Sequence, residues 1–108
     1  MTKAIFYFSG GIITGFRISG HTADSDTEEG RLVCAAVSSA AYMAANTVTD
    51  VVGAPADAVV SDGEMLFTLK KSDRSSQSVL QGLKLHLESL SEQYVNYIAV
   101  NTEVQHNA

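Results

Sequence analysis

His21 and Cys34 are the side chains of this chain best suited to nucleophilic chemistry. They flank a short acidic segment in "ISGHTADSDTEEGRLVCAAVSSAAYMAANTV", residues 18–48. A thiol attacks a carbonyl as its thiolate, which is favoured near the start of a helix and beside a cation. Cys34, the only cysteine, follows Gly30 and Arg31 at the start of an alanine-rich run without proline or glycine. Arg31 supplies a nearby cation, and Gly30 permits an unusual backbone angle or the close approach of a substrate chain. A histidine within reach would take the thiol proton and later return it to a leaving amine. Backbone N–H groups around Gly30 to Cys34 could hold the oxyanion.

The bland alternative uses the same residues. A lone cysteine in an alanine-rich helix is usually a small buried hydrophobe, and a histidine after Ser19-Gly20 can simply finish a turn. Spacing alone does not bring His21 and Cys34 together. A strand-loop-helix connection makes the meeting possible, because a strand end and a helix start can share one edge of a sheet.

The elements that would do the positioning can be traced along the chain. Ala4 to Phe8 and Ile12 to Ile18 are apolar runs separated by Ser9-Gly10-Gly11, which predicts a β-hairpin. The second strand then ends at Ser19-Gly20-His21. Residues 22–30, "TADSDTEEG", carry Asp24, Asp26, Glu28 and Glu29 and no large apolar side chain, the pattern of an exposed loop. From about Arg31 to Val52, Val33, Val37, Ala40, Ala44, Val48 and Val51 recur at helical spacing, with Cys34, Ser38, Ala41 and Ala45 on the adjacent stripe. Gly53-Ala54-Pro55 ends that helix. Ala58 to Val60 and Met65 to Leu69 read as strands joined through Asp62-Gly63. Val79 or Leu80, then Leu83, Leu87, Leu90 and Tyr94 mark a second amphipathic helix over about residues 76–93. Tyr97 to Val100 reads as a closing strand and "TEVQHNA" as a frayed tail. The expected fold is an α/β domain of the α+β type, ordered ββαββαβ. Its small, largely antiparallel sheet carries two helices on one face. The other face is left wet or covered by an oligomer, with Leu85 off the main stripe of the second helix.

Composition narrows the function classes. A chain of 108 residues with 45% hydrophobic residues suits one folded domain over residues 1–108. Seven Lys and Arg against twelve Asp and Glu give a net charge of −5, which repels nucleic acid backbones and favours basic partners. A single cysteine excludes an intrachain disulfide and suits a reducing cytoplasm. The apolar run at the N-terminus is too short for a signal peptide core. No stretch reads as a membrane span once its Ser, Thr and Asn are counted, so a soluble intracellular protein is expected. His86 and His106 lie apart from other ligand types, so neither a metal site nor a cofactor is expected.

"SGHT" followed by "EGRLVCAAVSSAA" resembles the ribosomal-processing cysteine protease family of bacteria. The family pattern is a Gly-His-Ala at the end of the second strand, then a loop, then Gly-x-x-[Ile/Leu]-Val-Cys-Ala-x-x-Ser. Here Gly20, His21, Gly30, Leu32, Val33, Cys34, Ala35 and Ser38 supply it in order. The resemblance implies a homodimer with Cys34 as nucleophile, His21 as general base and acid, and Ser38 supporting the site or packing beneath it. It also implies a substrate, the basic N-terminal extension of large-subunit ribosomal protein twenty-seven. Thr22 stands where alanine is usual, and Arg31 where many members carry Asp. The implied centre is therefore a Cys-His dyad. Any acid that orients the histidine would have to be Asp24, Asp26, Glu28 or Glu29. The acidic segment suggests electrostatic attraction of a basic substrate, against the simpler role of a solvated loop that caps a helix. Two other classes remain open on the sequence: a noncatalytic ribosome-assembly or interaction module of the same fold, and a redox-sensing thiol protein.

Overall fold

Gly10 and Gly11 turn the chain between β1 (Thr2–Ser9) and β2 (Ile12–Ser19) in the computed structural model, which describes residues 1–20 and 27–105. Both glycines have positive φ, 58° and 79°, the combination whose twist matches the flanking strands of a tight hairpin. The acidic segment then leads into α1 (Glu28–Asn46), which begins earlier than its apolar pattern suggests. The reason is a cap that hydrophobic periodicity does not report. Thr27 Oγ1 accepts a hydrogen bond from the Gly30 N–H at 2.9 Å, and Glu28 and Glu29 sit in the first turn against the positive end of the helix dipole.

The helix does not run as a regular α-helix to Val52. Thr47–Val52 forms a π-helical turn, closed by Gly53 in the left-handed region at φ 79°. The wider turn changes which side chains face inward. Val48 stays buried, whereas Val51, expected on the apolar stripe, is 79% exposed. Within residues 28–52 an 18-residue window reaches a mean hydropathy of 1.3, so by length and composition the helix does reach the range of a membrane span, against the sequence expectation. Here their inward stripe of Val33, Val37, Ala41, Ala44, Ala45 and Val48 belongs to the domain core.

Asp62 and Gly63 join β3 (Ala56–Ser61) to β4 (Glu64–Leu69). α2 (Arg74–Gln93) follows, with Asp73 as its N-cap. Asp73 Oδ1 accepts from the Ser76 N–H at 2.7 Å, and Oδ2 accepts from the buried Ser76 hydroxyl at 2.8 Å. These bonds, led by the backbone one, hold the Asp73 carboxyl below its ordinary value of 3.8. The Gln77 side chain donates to the Ile13 carbonyl at 2.8 Å and accepts from its N–H at 2.9 Å, pinning α2 to β2.

β5 (Ile98–Val104) completes a five-stranded sheet of order β3-β4-β2-β1-β5. β5 runs parallel to β1, and the other neighbours are antiparallel. The parallel ladder extends to Phe8 opposite Val104, and the Gln105 N–H donates to the Phe8 carbonyl at 2.7 Å. Residues 102–104, expected to be frayed, are therefore strand, while His106 lies outside the described residues. The inward row Phe6, Phe16 and Phe67 crosses three strands, with ring centroids 5.9 and 5.2 Å apart. Leu80, Leu83 and Leu87 of α2 and the small and β-branched residues of α1 complete one core on that face. The order ββαββαβ and the two helices are those expected from the sequence.

Candidate active site

At the end of the sheet where β2 stops, a cleft of about 140 Å³ opens between α1 and the turn of the β3–β4 hairpin. Cys34, Ser38, Ala41 and Tyr42 line it from the helix. Their i, i+4, i+7, i+8 spacing places them one above another on a single face. Gly20 faces them from the end of β2, and Val60, Ser61 and Glu64 from the hairpin. The thiol is half-buried and borders this space. Cys34 is thus a cleft residue, although other residues of α1 fill the core.

Gly20 is required by geometry. Its φ is +87°, and a Cβ there would run into the Met1 carbonyl oxygen. Only glycine lets β2 end so close to the N-terminal strand and lets the chain leave the sheet beside the thiol. His21 is the next residue, and it lies outside the described residues, as do Thr22, Asp24 and Asp26.

Serine and threonine hydroxyls on the helices divide into those bonded back to the chain and those of Ser38, Ser39, Ser75 and Ser78, which make no hydrogen bond among the described residues; of these four only Ser38 borders the cleft. Thr47, Thr49 and Ser89 each donate back to a preceding carbonyl, at 2.6, 3.1 and 3.1 Å. Among the described residues the Ser38 hydroxyl makes no such bond, and it borders the cleft one turn after Cys34. A free hydroxyl there can donate to, or accept from, a bound chain.

Two sequence expectations about this helix need correction. Cys34 lies in the second turn of α1, because the helix starts at Glu28. The direct pull of the first-turn N–H groups on a thiolate is correspondingly reduced. The proposed oxyanion donors are also occupied. The Gly30 N–H bonds Thr27 Oγ1, the Arg31 N–H bonds the Thr27 carbonyl at 3.1 Å, and Leu32 to Cys34 are inside the helix. Gly30 is buried in the first turn and shapes the helix start, and Arg31 is exposed. Neither borders the cleft, whereas Gly20, Cys34 and Ser38 do.

Tyr42, Val60, Glu64 and Met65 also line the cleft but were not singled out from the sequence. Helical spacing from Cys34 points to Tyr42. The hairpin residues come from a distant part of the chain and carry no local signal. Glu64 has its own partner, with Arg17 Nε at 3.1 Å from Oε1 as a charge contact without hydrogen-bond alignment.

The fold is a small α+β domain whose cleft is bordered by a cysteine thiol. A family model described as cysteine protease Prp matches residues 1–99, and the chain belongs to that family. No curated protein gives a significant match. Among solved structures, the chain is similar to SMU.848 from Streptococcus mutans, with TM-score 0.85, 23% identity and coverage of 97% of this chain and 96% of that one. It is also similar to an essential ribosomal processing protease, Prp, from S. aureus in complex with a substrate peptide. That match has TM-score 0.86 and 20% identity, over 95% of this chain and 100% of that one. The same S. aureus protease with a covalently linked product peptide gives TM-score 0.81 at 20% identity, again over 95% and 100%. At these identities the structures establish the shared fold.

Proposed function

We propose that this protein is a cytoplasmic cysteine endopeptidase that removes the N-terminal extension of large-subunit ribosomal protein twenty-seven. The observation that carries the reading is the cleft itself. The only cysteine borders it from α1, and so does Gly20, whose neighbour in the chain is His21.

The chemistry follows from a Cys-His dyad. His21 takes the Cys34 thiol proton as Sγ attacks the scissile carbonyl, forming a C–S bond and an oxyanion. Collapse of this intermediate breaks the C–N bond, and the imidazolium gives its proton to the departing amine. Water then attacks the thioester with His21 as base. The new acid leaves, and the proton returns to sulfur. Ser38 is a positioning residue beside this centre, its free hydroxyl directed to the bound chain or to the thiol. Oxyanion donors have to come from outside the Gly30–Cys34 backbone, whose N–H groups are already bonded.

The family likeness also supports a homodimer. The sheet face opposite the helices carries the cross-strand row Ile5, Arg17, Leu66 and Val59, a surface that a second copy would cover; sedimentation of the purified protein tests this. Incubation with the full-length ribosomal protein precursor tests the main reading. Mass spectrometry should find two fragments, the shorter one carrying the original N-terminus. Recovery of intact precursor in a stable complex would contradict proteolysis and favour an assembly module.

A further inference from the structure

β3 is an edge strand, and its parity decides which backbone groups are free. The two-residue turn at Asp62-Gly63 makes Ser61 and Glu64 a hydrogen-bonded pair. At the other end, the Lys70 N–H donates to the Pro55 carbonyl at 2.9 Å. Both ends therefore assign the inward backbone groups of β3 to its odd-numbered residues. Ala56, Ala58 and Val60 direct their N–H and C=O groups away from β4, where no strand pairs with them among the described residues.

This open edge runs into the cleft. Val60 and Ser61 line the same space as Cys34. Val60 is 53% exposed although its row, with Met65, Ile18 and Ala4, faces the helix side of the sheet. Beyond the charged Asp57 near its start, β3 also lacks the usual protections of an exposed edge. Ala58, Val59 and Val60 form an exposed apolar run with no lysine, proline or bulge inside the strand. Such an edge invites another strand. β5, the other edge, is separated from β3 by three strands and does not reach the cleft.

The geometry points to β3 as the docking strip for an extended substrate polypeptide, which adds as a sixth strand through the Val60 and Ala58 backbone and so carries its scissile bond to Cys34. The inference rests on the peptidase reading and deepens it by naming where the substrate backbone is held. Main-chain bonds of this kind give affinity without demanding a sequence, and alternate side chains can then be read by pockets. A strand also offers the chain in the extended form that exposes a peptide bond to attack.

Val60→Pro removes an outward-facing N–H while leaving the β3–β4 ladder donors in place. Binding is read by fluorescence anisotropy, in a Cys34→Ala background, with a labelled peptide spanning the ribosomal protein extension. The substitution should weaken binding about tenfold, the order expected for losing a hydrogen bond and disturbing its neighbour. In parallel, each peptide amide is N-methylated in turn, which stays informative even if the proline variant does not fold. Losses at every second amide support strand addition, whether or not the wild-type protein cleaves the peptide. Binding that ignores both changes overturns the proposal while leaving proteolysis intact, as does a Val60→Pro effect on dimer mass alone. Failure of the Cys34→Ala protein to bind the peptide at all overturns the docking strip, and cleavage by the wild type reports separately on the peptidase.

Discussion

Cys34, His21, Ser38 and Gly20 carry separable proposed roles, and each role predicts a different loss. In the proposed mechanism Cys34 supplies the bond-forming atom. His21→Ala should lower kcat by about 10² to 10⁴ and leave peptide binding by anisotropy near wild type; near-normal turnover would remove its acid-base role. Ser38→Ala should lower kcat/KM by roughly 3- to 10-fold, the loss of one hydrogen bond. Stability should not fall with it, because alanine is the better helix former by up to about 0.7 kcal/mol. A drop in melting temperature for Ser38→Ala would mean that the hydroxyl serves packing instead. Gly20→Ala should be costly in another way. Its positive φ and the nearby Met1 carbonyl leave no room for a Cβ, so denaturant unfolding should show a loss of about 1–3 kcal/mol. The Gly-His and Cys-Ala-x-x-Ser motifs were legible as local sequence. The hairpin side of the cleft was not, because Val60 and Glu64 reach it only through long-range strand pairing.

The helix ends set where the functional residues fall. Apolar periodicity located both helices but not their first turns, because Thr27 and Asp73 cap through polar side chains that carry no hydrophobic signal. The π-helical turn at Thr47–Val52 was equally hidden, since it depends on how the chain closes onto Gly53. Moving the start of α1 to Glu28 shifts Cys34 into the second turn and removes the simplest account of an activated thiol. The Asp73 cap has a pH signature. Its folded-state carboxyl titrates below its ordinary value of 3.8, so the unfolded chain binds the proton more readily. Its stabilising contribution is present above the unfolded value and is lost as pH falls through the folded one. Asp73→Asn should therefore lower the melting temperature at neutral pH and flatten its decline on acidification. An unchanged acid limb would assign that decline to other carboxylates. In the core, Leu87→Ala, at a fully buried site on α2, should cost about 2–5 kcal/mol in chemical denaturation.

Over the whole molecule, the antiparallel hairpins, the two helices and their order followed from turn residues and periodicity. β5 is longer than its apolar run because the ladder with β1 holds polar Asn101, Thr102 and Glu103 in strand form. No local propensity announces that pairing. Net charge operates at this scale too. A chain of net charge −5 with exposed Glu28 and Glu29 at the start of the helix that carries the thiol should attract a basic extension. Raising ionic strength from about 0.05 to 0.5 M should lower kcat/KM through association, with kcat at saturation little changed. Salt-independent kcat/KM, or full activity after Glu28→Gln and Glu29→Gln together, would remove steering from the account. The claim on which the rest depends is that Cys34 is the nucleophile. Its most direct test is the initial rate of precursor cleavage by wild-type and Cys34→Ala proteins at equal concentration. The rate should fall roughly 10³-fold or more with the fold retained by circular dichroism, and cleavage at a comparable rate by the alanine variant would show that Cys34 is not the nucleophile.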